Sequence, residues 1–159
     1  MRADCAEALA NAAGIDGICG GQQLDMEGNG RALDEQQLIE LQSRKTGSLL
    51  AAAGLMGAIV GGATSMQREA ALIYGSALGA AFQIRDDMLD ELSTTQELGK
   101  PVGSDRREQK TTFMTIYGGE KCEQSIVKLT EYAKKTVSEA FDRPQFLMDF
   151  ADGMVIRRN

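Results

Sequence analysis

The sequence predicts an all-α protein built as a helix bundle. Its 159 residues include only two prolines and are rich in alanine, leucine, methionine, glutamine and glutamate, the side chains least costly in a helix. No stretch keeps strict apolar/polar alternation long enough to specify a strand. Two capping-box signatures, Asp34 with Gln37 and Thr64 with Gln67, mark helix starts, because each side chain can satisfy a backbone N–H that the first turn leaves open. The length suits one domain with a real core.

In chain order, residues 3–30 read as a helix with a loosened middle. Ala6, Ala8, Leu9, Ala12 and Ala13 favour helix, while Gly14, Gly17, Gly20 and Gly21 each cost about 1 kcal/mol relative to alanine, as at a kink or a close approach of backbones. Gln22 and Asp25 share a face one turn apart, which spacing alone assigns to a solvated end. Asp34 then opens a helix that carries Lys45-Thr-Gly47 and the small-residue run from Leu49 to Ala63. Thr64 opens the next, which runs through Tyr74 and Leu78 and is closed by residues 93–95. Residues 97–110 form a long irregular stretch with Gly, Pro and four basic residues, the composition of a functional loop or of a solvated one. A short helix over 111–117 stops at Gly118-Gly119. A long amphipathic helix follows, with Ile126, Leu129, Ala133, Val137 and Ala140 on one stripe. Pro144 starts a last helix, which ends near Arg157 and Arg158; these arginines complement the helix dipole or close over an anion.

The most informative segment is residues 80–92. Gln83, Asp86, Asp87 and Asp90 fall at i, i+3, i+4 and i+7, on one narrow arc of a helix, and the rest of the circumference is apolar apart from Arg85. Carboxylates one turn apart repel, and more strongly where water is excluded, so a cation is expected beside them. Magnesium suits such a site, since it takes one or two carboxylates, keeps several waters and shares its other positions with phosphate oxygens. The same string also serves as an ordinary solvated helix face, and the rest of the chain must separate the two.

Composition removes several classes. The net charge of −6 and isoelectric point near 4.7 argue against nucleic acid as a partner. With no histidine, Ser/His/Asp catalysis and most zinc sites are excluded. Cys5, Cys19 and Cys122 are odd in number and form no CxxC pair, as expected of reduced thiols in a cytoplasmic protein. No signal peptide is recognisable, and the run from Leu49 to Ala63 is too short to span a bilayer, so the chain is not expected to be transmembrane.

Taken in order, Gly20-Gly-Gln-Gln-Leu-Asp25, Lys45-Thr-Gly47, Phe82-Gln-Ile-Arg-Asp-Asp-Met-Leu-Asp90, Leu98-Gly-Lys-Pro-Val-Gly-Ser-Asp105 and Lys110-Thr111 resemble the motifs of the second half of the trans-isoprenyl diphosphate synthases, the polyprenyl synthetase family. The resemblance covers almost the whole chain. It implies an all-α bundle of the isoprenoid synthase type, with residues 1–159 as a single partial domain, the C-terminal half. It further implies that Asp86, Asp87 and Asp90 bind Mg²⁺ bridging to an allylic diphosphate. Lys45, Lys100 and Lys110 would contact that diphosphate, with Gln22, Arg157 and Arg158 as further substrate-binding residues. Thr46 and Gln83 would present oxygen atoms to the allylic cation. The reaction implied is condensation of isopentenyl diphosphate with the allylic diphosphate, as in farnesyl or geranylgeranyl diphosphate synthases.

The departures from the family pattern are specific. Family enzymes are roughly twice as long as this chain, and the first aspartate-rich motif and the isopentenyl diphosphate pocket belong to the half not represented here. Residues 92–94 replace the Gly-Asp pair usual after the second motif, and Gln42 stands where histidine is common. The expectation is a chain with little activity alone, acting as a homodimer or with a chain that supplies the missing half. The alternative is a non-catalytic subunit that completes or regulates a partner synthase.

Overall fold

A computed structural model describes residues 1–28, 30–92 and 110–156. These residues are helices and short connections, as the composition predicts. The helices are α1 (Arg2–Ala13), α2 (Ile18–Gly28), α3 (Glu35–Gln42), α4 (Ser48–Val60), α5 (Ser65–Leu92), α6 (Phe113–Ala140) and α7 (Gln145–Ile156), with a π-helical turn at Ser43–Gly47 between α3 and α4.

The first helix predicted from sequence is two helices, with the break at Gly14–Gly17. Gly21 serves the other purpose expected of these glycines. A Cβ there would collide with the backbone of Lys45, so only glycine lets α2 lie directly against the π turn. Both sequence-predicted capping boxes form. Asp34 Oδ1 accepts from Gln37 N–H at 2.9 Å while Gln37 Oε1 accepts from Asp34 N–H at 3.0 Å. Thr64 and Gln67 make the equivalent pair at 3.0 and 3.3 Å. A third box, Thr112 with Thr115, starts α6.

Helix α5 is the centre of the bundle, packed most extensively against α6 and next against α4. Between Tyr74 and Asp90 only Ser76 is exposed. One core cluster joins α5 to α3 and the start of α6 through Leu38, Ala81, Ile84, Met88, Phe113 and Ile126. A second joins the first half of α5 to the end of α6 and α7 through Tyr74, Leu78, Ala133, Val137 and Ala151. The Tyr74 hydroxyl, buried with this cluster, donates to the Leu147 carbonyl at 2.7 Å and ties α5 to α7. The predicted stop at Gly118 is a kink within one helical span: Gly118 takes φ 74°, ψ 165°, outside helical geometry and costly for any side chain with a Cβ, and the chain resumes as helix on the far side. No described helix is long and apolar enough to cross a membrane.

Candidate active site

Helix α2, the π turn, the middle of α5 and the start of α6 enclose a polar cavity of about 140 Å³, whose lining includes Asp25, Gln42, Lys45, Gln83, Asp87 and Lys110. Its placement follows from the fold. Gly21 brings α2 against Lys45, and the π turn leaves Lys45 facing α2 while its neighbour Thr46 faces α5. π-Helical turns of this kind recur at functional sites because the extra residue per turn re-aims side chains.

Lys45 Nζ lies 2.8 Å from Asp25 Oδ2, with both side chains partly buried. Thr46 Oγ1 donates to Gln83 Oε1 at 3.2 Å, Gln83 Nε2 donates to Asp87 Oδ1 at 3.0 Å, and the backbone N–H of Phe113 donates to Asp87 Oδ2 at 2.8 Å. Asp87 and Asp90 are 6% and 4% exposed, whereas Asp86 is half-buried. The acidic strip on α5 is therefore held inside the protein, as its apolar flanks predicted. Below it, burial first and then the neighbouring Asp87 and Glu123 carboxylates push the Cys122 thiol up, which keeps it protonated and unreactive.

The structure thus gathers Lys45, Gln83, Asp87 and Lys110 around one cavity, with Thr46 bonded to its wall. Gln22 is exposed on α2 and does not line the cavity. Lys100, Arg157 and Arg158 lie outside the described residues, as do residues 93–95 and all of the 97–110 stretch before Lys110. Two contributors were not assigned to the site from sequence. Asp25, read as part of a solvated end, is the ion partner of Lys45; its place in the Gly20–Asp25 motif was the available signal. Thr111 Oγ1 accepts from Leu33 N–H at 2.9 Å and so fixes the connection before α3 beside the cavity; its place in the Lys110-Thr111 motif was the available signal.

Among the described residues, no three Asp, Glu, Cys or His side chains converge as a metal-holding group. A more apolar groove of about 490 Å³ adjoins the polar cavity at Gln42 and runs over Ser76, Ala80 and Ile84 of α5 towards Leu129.

The polyprenyl synthetase family pattern matches residues 2–145. This chain belongs to the polyprenyl synthetase family. Farnesyl diphosphate synthase from Geobacillus stearothermophilus is 42% identical over 110 residues, 69% of this chain and 37% of that one. Geranylgeranyl diphosphate synthase from Cyanophora paradoxa is 34% identical over 152 residues, 95% of this chain and 51% of that one. Among solved structures, an FPP/GFPP synthase from Zymomonas mobilis superposes with a TM-score of 0.80 at 29% identity, covering 97% of this chain and 51% of that chain. A polyprenyl synthase from Caulobacter crescentus, complexed with calcium and isoprenyl diphosphate, superposes with a TM-score of 0.86 at 25% identity. The chain spans 37% and 51% of the length of these two curated relatives and 51% and 60% of the two solved structures.

Proposed function

We propose that this chain forms the allylic-diphosphate half of a trans-prenyltransferase of the farnesyl or geranylgeranyl diphosphate synthase kind, and that residues 1–159 are the C-terminal part of one catalytic domain. The observation that carries this reading is the cavity in which α2, the π turn, α5 and the start of α6 bring Lys45, Gln83 and Lys110 together with the buried Asp87. A diphosphate needs cations, and a departing one needs them more as its charge grows; Lys45 and Lys110 would supply them. Asp86, Asp87 and Asp90 on α5, of which Asp87 lines the cavity, form the acidic wall that would hold Mg²⁺. Magnesium, when bound, supplies Lewis-acid stabilisation of the leaving diphosphate.

The protein's own groups then do the rest. Thr46 and Gln83 present fixed dipoles towards the carbon that becomes cationic, and the adjoining apolar groove takes hydrocarbon and excludes water. Attack by the double bond of isopentenyl diphosphate and loss of a proton complete the condensation. The second diphosphate pocket would belong to the half of the catalytic domain not represented in residues 1–159; one relative is named as the large subunit of a heterodimeric geranylgeranyl pyrophosphate synthase. The expected location is the cytoplasm.

The test is a pair of measurements on the purified chain. Calorimetric titration with dimethylallyl diphosphate in the presence of Mg²⁺ should give saturable binding, and its absence would end the allylic-site assignment. Mass spectrometry after incubation with isopentenyl and dimethylallyl diphosphates should find little or no elongated product. Robust product from this chain alone would overturn the assignment of half a site.

A further inference from the structure

We propose that Asp87 is a positioning residue and not a metal ligand: its carboxylate sets the direction of the Gln83 and Thr46 dipoles and fastens the start of α6 to α5. A carboxylate can only accept hydrogen bonds. The end of Gln83 that faces Asp87 Oδ1 must therefore be its NH₂ group, 3.0 Å away. That turns Gln83 Oε1 to Thr46, whose hydroxyl must donate to it, at 3.2 Å. The polarity of the whole relay is imposed from the Asp87 end. With its proton committed to Gln83, the Thr46 oxygen keeps its lone pairs for other partners, which is the orientation a developing cation requires. That last use rests on the function proposed above; the relay itself does not.

The other oxygen of Asp87 has a separate task. The first N–H groups of a helix have no acceptor within the helix. The Thr112 side chain takes the N–H of Thr115, and Asp87 Oδ2 takes that of Phe113 at 2.8 Å. Phe113 belongs to the core cluster under the cavity, so this bond locks the segment from Lys110 to Phe113 at a set height against α5. One carboxylate thus orients one wall of the cavity and anchors another. Each of its oxygens accepts from a protein N–H group, one from Gln83 on α5 and one from Phe113 at the start of α6.

Asp87→Asn separates the two tasks. The carbonyl oxygen of the new amide can still accept from Phe113, but its NH₂ then meets the NH₂ of Gln83 and forces that amide to turn over, reversing the relay. Hydrogen exchange and side-chain amide spectra of the full chain should therefore show Phe113 N–H exchange within about threefold of the native rate in Asp87→Asn, with shifted Gln83 side-chain resonances. In Asp87→Ala the Phe113 N–H should exchange at least tenfold faster, and in Asp86→Asn neither signal should move. Titration with Mg²⁺ and inorganic diphosphate supplies the second readout. Asp87→Asn should keep the native affinity within about threefold, while Asp86→Asn should lose about tenfold. Phe113 exchange that ignores Asp87→Ala, or loss of magnesium diphosphate binding in Asp87→Asn as large as in Asp86→Asn, would overturn the proposal. If the native chain binds no magnesium diphosphate, the proposed function fails while hydrogen exchange still decides the role of Asp87.

Discussion

Lys45 and Asp25, on elements separated by a turn and a helix, form an ion pair at 2.8 Å in the wall of the polar cavity. The pair is partly solvated, so its own contribution to stability is small, about 0–1 kcal/mol. Its effect is on charge. Asp25 holds the Lys45 ammonium in place and competes with any anion for it.

Lys45→Ala should accordingly leave the melting temperature within about 3 °C of the native value. The same substitution should weaken binding of inorganic diphosphate with Mg²⁺ about tenfold, a loss of roughly 1.4 kcal/mol. Asp25→Asn should act in the opposite direction on metal-free diphosphate, tightening it, and the gain should shrink as salt is raised. Calorimetric titration at two ionic strengths checks both.

Gly21→Ala should be among the more damaging single-methyl changes in the chain. The added Cβ meets the Lys45 backbone, which cannot move aside as a flexible side chain would. Overpacking of this kind costs about 1–3 kcal/mol, so the melting temperature should fall by roughly 3–10 °C. Because α2 is pushed off the π turn, the Lys45–Asp25 pair should open as well, and diphosphate binding should change with stability. An alanine at exposed, solvent-facing Gly153 provides the control, since no atom lies within 4 Å of a Cβ built there.

These two cases also mark what could be read from the sequence. Helix class, both capping boxes and the burial of the Asp86–Asp90 strip were legible because they depend on local spacing: a cap three residues from its partner, or carboxylates and apolar residues sorted around one helix. The kink at Gly118 was legible as a break, because glycine is a local signal. Asp25 was misread as solvated because its partner lies on another element, and spacing within α2 cannot reveal what Gly21 brings against it. The π turn left no local mark either; Ser43 to Gly47 read as uninterrupted helix, and the extra residue per turn is visible only in the bond from Ser48 N–H back to Ser43 O. The Phe113 bond to Asp87 spans 26 positions and was equally hidden.

Thr112 is the cap of α6 and is itself buried. Thr112→Val keeps the shape and removes the oxygen that accepts from Thr115 at 3.2 Å. The expected loss is about 1 kcal/mol, a fall of roughly 2–4 °C in melting temperature, and Thr112→Ser should recover most of it. Since α6 begins at the cavity, fraying should reach Phe113 too, and its N–H should exchange faster in the valine variant than in the serine one.

Alkaline pH should destabilise the protein through two tyrosines. Burial pushes the Tyr74 hydroxyl up to about 12. Tyr117 is also pushed up to about 12, by burial first and then by the Glu35 carboxylate, to which its hydroxyl donates at 2.6 Å. In the unfolded chain both ionise near pH 10. Between about pH 10 and 12 the unfolded state therefore holds fewer protons than the native state, and stability falls as pH rises through that window. Below pH 10 both states keep the protons and this contribution is present in full. Urea midpoints measured from pH 8 to 11.5 should be flat with respect to these groups at first and then decline. Tyr117→Phe removes one of the two ionisable hydroxyls, so its decline should be shallower than that of the native chain. Tyr74→Phe should flatten the decline as well but start from a lower midpoint at pH 8, because it also strips the Leu147 carbonyl of its 2.7 Å donor. Equal slopes in all three proteins would show that the alkaline loss arises elsewhere.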